Sequence, residues 1–157
     1  MSGLEPLAAL GLVCNIMQII SFAHETVSIC KSIYRTGYPD PNLVNNVAYL
    51  ANVSENLKES LSSAPGSLGK DEQELMDIAN RSLAAASGLR KEVENITTNT
   101  SKGKLISAIS GGLKATFRKR RIERLERSML DCQRALESRI LLRIWYVSAS
   151  RWPPGIS

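Results

Sequence analysis

Apolar side chains recur along this chain at intervals of three and four, the period of a helix that buries one face. The first such run is also the most apolar. Residues 6–23, PLAALGLVCNIMQIISFA, carry no charge. The pattern continues through Val27, Ile29, Cys30, Ile33 and Tyr34, now interleaved with His24, Glu25, Lys31 and Arg35. Pro6 suits a first turn, where its missing N–H is no loss, and Gly37-Tyr-Pro39 stops the helix. The expected helix covers about 5–36. A second follows over 42–62, with Asn42 as a capping residue and Leu43, Val47, Leu50, Ser54, Leu57 and Leu61 as its stripe. Residues 62–69, SSAPGSLG, read as a loop.

The third expected helix, 71–97, opens at Asp71, and Glu72 and Glu74 in its first turn favour the helix dipole. Its stripe is Leu75, Ile78, Ala79, Leu83, Ala86, Leu89, Val93 and Ile96. ITTNTSKG, 96–103, reads as a break. A short helix over 104–117 contains Gly111-Gly112, a weak point. The last helix, 119–147, has the stripe Ile122, Leu125, Met129, Cys132, Leu136, Ile140 and Ile144. No alternating stretch of useful length reads as a strand. The expected fold is an all-α antiparallel bundle of four to five helices over residues 1–148, with 149–157 a flexible tail.

Three readings compete for the first apolar run. A signal peptide needs a positive segment ahead of its apolar core, whereas the only early charge is Glu5. A membrane span needs about 20 apolar residues, and this run also holds Asn15 and Gln18. A core helix that turns amphipathic after Ala23 fits best.

Charge changes the picture more than composition does. The 157 residues include 20 basic and 15 acidic side chains, net +5. Residues 1–100 hold 7 basic and 11 acidic groups, and residues 101–157 hold 13 and 4, so the C-terminal third is strongly basic. Lys114, Arg118, Lys119, Arg120, Arg121, Arg124 and Arg127 fall within 14 residues. One reading is a solvated face tied by Arg120–Glu123 and Glu123–Arg127 pairs. The others are attraction to anionic lipid, and nuclear import or nucleic-acid contact. Aromatic content of 5% leaves few platforms for stacking single-stranded bases.

Catalytic chemistry finds little to stand on. Cys14, Cys30, Cys132 and the lone His24 show no zinc-ligand spacing. Cys14 and Cys30 on one helix lie about 24 Å apart, too far to bridge, so a reducing, cytoplasmic setting is the simpler expectation. Gly66-Ser-Leu-Gly69-Lys70-Asp71 lacks the spacing and the Ser or Thr of a phosphate loop. His24 reads as a packed or solvent-edge side chain, and every acidic residue fits a solvated helix face. The sequons at Asn52, Asn80, Asn95 and Asn99 read as chance in a chain without a secretory signal. No enzyme, cofactor, metal or small-molecule substrate is expected.

The opening from Leu4 to Ala23, the Ser32-Ile-Tyr-Arg-Thr-Gly37 helix end, Asn56-Leu57 with Leu61, and the helix from Leu125 to Leu141 resemble a fungal domain. It is the N-terminal domain that precedes NACHT-type STAND (NOD-like) receptors, and the resemblance covers residues 4 to about 144. It implies a helical bundle of the broad HeLo-like cell-death class, in which an N-terminal hydrophobic helix reaches the membrane when a sensor module oligomerises. Carried onto this chain, the membrane- or partner-reaching stripe is Leu7, Leu10, Leu12, Val13, Ile16, Ile19 and Ile20. No nucleotide-binding domain follows, and Trp152-Pro-Pro-Gly-Ile-Ser157 does not continue the family helix. The expectation is therefore a stand-alone or truncated relative, or a separately made domain. The expected function is a non-enzymatic signalling or effector module in programmed cell death or heterokaryon incompatibility. Its partners would be copies of itself, related helical domains or an anionic plasma membrane. The alternative is a small basic nucleic-acid-binding or nuclear protein using residues 114–127.

Overall fold

The computed structural model describes residues 6–63, 69–101 and 113–150, with side chains described for 8–63, 69–97 and 118–142. Within them lie four helices and no strand: α1 (Pro6–Thr36), α2 (Asn42–Ser62), α3 (Lys70–Ser101) and α4 (Leu113–Ser150). The all-α bundle expected from the periodicity is the architecture found.

Local chemistry sets the ends. At the close of α1, Gly37 adopts φ 77, where a Cβ would be strained, and its N–H donates to the Ile33 carbonyl at 2.8 Å. At the start of α2 the cap differs from expectation. Asn42 is itself helical, and its N–H donates to Asp40 Oδ1 at 2.9 Å, so the carboxylate two residues upstream fills the capping role.

Two expected breaks are absent. Helix α3 runs on through 96–101, because Ile96 packs in the core and the Thr97 hydroxyl donates to the Val93 and Glu94 carbonyls instead of opposing the helix. Nor is there a boundary between 117 and 119, since α4 is continuous from Leu113 to Ser150. Residues 104–112 of the expected short helix, and the tail from 151, lie outside the described residues. Residues 149 and 150, expected in the tail, are the last of α4.

Cross-helix contacts fix the arrangement. Lys31 pairs with Glu126, and His24 Nε2 donates to Gln133 Oε1 at 3.1 Å, so α4 runs antiparallel to α1. Glu92 pairs with Arg121, and Asp71 and Glu74 pair with Arg139, so α4 is antiparallel to α3 as well. Helix α1 turns back into α2, and Phe22 stacks on Tyr49 with ring centroids 5.5 Å apart. Helices α1 and α3 therefore run parallel and touch along the middle of the bundle, with α2 and α4 at the outer corners.

The core fills the space between them. Leu12, Ile16, Ile19, Ile20, Val27 and Ile33 of α1 meet Leu50 and Leu57 of α2, Leu89 and Ile96 of α3, and Ile122 and Met129 of α4. The buried hydroxyls of Thr26 and Ser54 are satisfied within their own helices: Thr26 donates to the Phe22 carbonyl and Ser54 to that of Leu50.

Candidate functional site

The register of α1, α3 and α4 gathers a polar cluster into one end of the bundle. Glu92 of α3 occupies a core-facing position between Leu89 and Ile96 and is 2% exposed. Its Oε1 accepts from Arg121 Nη1 at 2.8 Å, while Oε2 and the nearby Tyr34 hydroxyl have no hydrogen-bond partner among the described residues. Burial, followed by the Glu92 charge, pushes the Cys30 thiol up to about 12. Tyr34 is also raised to about 12, by burial first, then by Glu92 and Cys30, against an opposing pull from Arg118. Burial raises Cys132 too, helped by Asp131 and opposed by Arg81. These environments favour the protonated thiol, the reverse of what a nucleophilic cysteine needs. The cluster acts as a joint between three helices, tied by one charged pair.

Outside this joint lies the basic face of α4. Lys119, Arg120, Arg124 and Arg127 are exposed, Arg118 is half-buried, and the Lys114 side chain lies outside the described residues. Arg120, Arg124 and Arg127, one helical turn apart in succession, line a shallow groove of about 250 Å³ with Glu123 among them. The expected Arg120–Glu123 and Glu123–Arg127 pairs do not form among the described residues. Instead Arg121 crosses to α3, because a buried carboxylate gains far more from a cation than a solvated one does.

The stripe expected to reach a membrane or partner divides between two environments. Leu12, Ile16, Ile19 and Ile20 are core, Val13 is half-buried and Leu10 is 59% exposed. The Leu7 side chain lies outside the described residues. Over its uncharged stretch α1 turns Leu10, Cys14 and Met17 outward in helical succession, with Gln18 and Ser21 exposed beside them. Beside it, Gly11 and Asn15 of α1, Asn56 and Ser60 of α2 and Met76 of α3 line a groove of about 580 Å³. Residues Ala8–Thr36 are long and apolar enough to cross a membrane by length and composition; an 18-residue stretch within them has a mean hydropathy of 1.3 and is 44% buried. The outward strip and the basic face occupy different levels of the bundle. Met17 and Lys31, the latter beside Glu126, are about 21 Å apart along α1.

No group of three His, Cys, Asp or Glu side chains that could hold a metal occurs among the described residues. His24 instead belongs to a chain of hydrogen bonds, since Gln133 Nε2 donates onward to Glu137 at 2.8 Å. Compared with protein-family models, curated proteins and solved structures, the chain has no match. Sequence reading passed over Glu92 as a surface acid. Its position, three residues after Leu89 and four before Ile96, was the signal that it faces the core.

Proposed function

We propose that this chain is a non-enzymatic helical signalling module of the kind found in fungal NOD-like-receptor systems, acting in the cytoplasm through helix-to-helix association with copies of itself or related domains. The observation that carries this reading is the outward side of α1. Leu10, Cys14 and Met17 stand exposed on a helix whose opposite side is core, in a stretch of 18 residues with no charge to keep another apolar surface away. Ordinary solvated helix faces are charged, as the outer face of α4 is. The likeness of the helix sequences to the N-terminal domains of those receptors supports the same reading. Light scattering on the full chain tests it. The wild type should gain mass with concentration, and L10E/M17E should remain monomeric. A wild type that stays monomeric throughout overturns the proposal.

The basic face favours a second reading, recruitment to anionic lipid. Each exposed basic side chain near such a surface contributes about 1 kcal/mol, and Arg120, Arg124 and Arg127 point the same way. Flotation with vesicles of anionic and of neutral phospholipid tests it. R120A/R124A/R127A should lose binding to the anionic vesicles while its melting temperature barely moves, because exposed charges add little to stability.

A further inference from the structure

Arg121 serves two environments at once. Its side chain is 63% exposed and stands on α4 beside Arg120 and Arg124, yet it donates at 2.8 Å to Glu92, which is 2% exposed. A carboxylate taken out of water is costly to leave without a close cation. With Oε2 unpartnered among the described residues, Glu92 depends on Arg121. A phosphate group has a competing claim, because a guanidinium fork matches its oxygens. One positive charge cannot fully neutralise two anions a few ångströms apart.

We propose that Glu92 and Arg121 form a clasp that regulates the basic face: docking of α4 onto an anionic phospholipid surface draws Arg121 from Glu92 and loosens the start of α4 from α3 and α1. The proposal rests on the membrane reading above and adds its control. The clasp lies one turn from the Gly88–Leu125 contact with α3 and close to the Lys31–Glu126 pair with α1, so its release is felt by both neighbours. Linkage makes the effect reciprocal. Whatever weakens the clasp must strengthen lipid binding, and lipid must weaken the clasp.

Glu92→Gln keeps the shape of the side chain and removes its charge. Binding to vesicles containing phosphatidylglycerol should tighten about fivefold, the effect of one further basic residue at an anionic surface. Asp77→Asn makes the same change in net charge about 22 Å away along α3 and should stay within about twofold of wild type on the same scale. Glu92→Met, apolar and unbranched, should reproduce the gain, so the outcome does not hang on one variant. In the wild type the same vesicles should speed amide exchange over residues 118–125, and phosphatidylcholine vesicles should not. Vesicle binding that neither Glu92 variant raises, or exchange that vesicles leave unchanged, overturns the clasp alone. Absence of vesicle binding in wild type and variants alike overturns the membrane reading and the clasp with it.

Discussion

Gly88 of α3 lies against Leu125 of α4, and it allows the register of the two helices to be tested by one atom. A Cβ built on Gly88 would stand 2.9 Å from Leu125 Cδ2, with Cδ1 and Cγ at 3.8 and 3.9 Å. Gly88→Ala therefore has two opposed effects. In the middle of a helix, alanine is favoured over glycine by about 1 kcal/mol. Against this, the new methyl must displace the end of a Leu125 side chain, and overpacking costs about 1–3 kcal/mol when neighbours cannot yield. Leu125 is only half-buried, so its methyl can turn outward and the penalty falls at the low end. The net change should lie within about 0.5 kcal/mol of zero, with the two effects nearly cancelling. In a Leu125→Ala background the obstacle is gone, and the same Gly88→Ala change should stabilise by the full ~1 kcal/mol. Urea denaturation of the four proteins completes the cycle and should give a coupling of about 1 kcal/mol. A Gly88→Ala effect that is the same in both backgrounds would show that Leu125 does not face Gly88. It would also displace the Glu92–Arg121 pairing one turn away.

The remaining predictions concern burial and titration. Cys30 and Tyr34 have raised folded-state values, so the unfolded chain holds fewer protons above its ordinary thiol and phenol range. Their contribution to stability is complete below about pH 9, and falls as pH rises through that range towards about 12; urea midpoints measured from pH 8 to 11.5 should decline. In ultraviolet titration of the native protein, Tyr34 should ionise only near 12. Alkylation at pH 8, followed by peptide mass spectrometry, should label exposed Cys14 within minutes and leave Cys30 and Cys132 largely unmodified until the protein unfolds. Ile16→Asp places an unpaired carboxylate where the side chain is fully buried, and should leave little folded protein by circular dichroism.

How far the sequence carried can be judged from single positions. The limits of α1 and α2 followed from Pro6, Gly37-Tyr-Pro39 and the flanking polar residues, because backbone restrictions act locally. Leu43, Leu50, Ser54 and Leu57 face the core as their spacing required. Local reading failed where a residue has two uses. Thr97 was counted as a breaker, but its hydroxyl bonds back to its own helix. Glu92 was counted as solvated, but its partner lies 29 residues away on another helix, and no local pattern carries that information. The basic cluster was visible as a run, whereas the commitment of Arg121 to α3 depends on a register that only packing fixes.

Burial constrains how α1 could meet a bilayer. Six of its aliphatic side chains, Leu12, Ile16, Ile19, Ile20, Val27 and Ile33, are each no more than 6% exposed. Burying a side chain of this kind contributes roughly 1.5–3 kcal/mol, so withdrawing α1 into water would forfeit roughly 9–18 kcal/mol. Domains of this size are stable by roughly 5–15 kcal/mol altogether. Helix α1 therefore cannot swing out of an otherwise intact bundle, since its departure is global unfolding. Lipid could repay that loss only if α1 passed from core to hydrocarbon without an aqueous interval, with α2, α3 and α4 re-sorting their own apolar faces at the same time. A folded bundle resting on a membrane would need less. It would use the surfaces already turned outward, Leu10, Cys14 and Met17 at one level and Arg120, Arg124 and Arg127 at the other, and would leave the core in place. The two routes separate on one observable. Insertion of α1 must abolish the slow-exchanging amides of all four helices together, whereas surface docking must spare α1 and α2 and quicken only the start of α4.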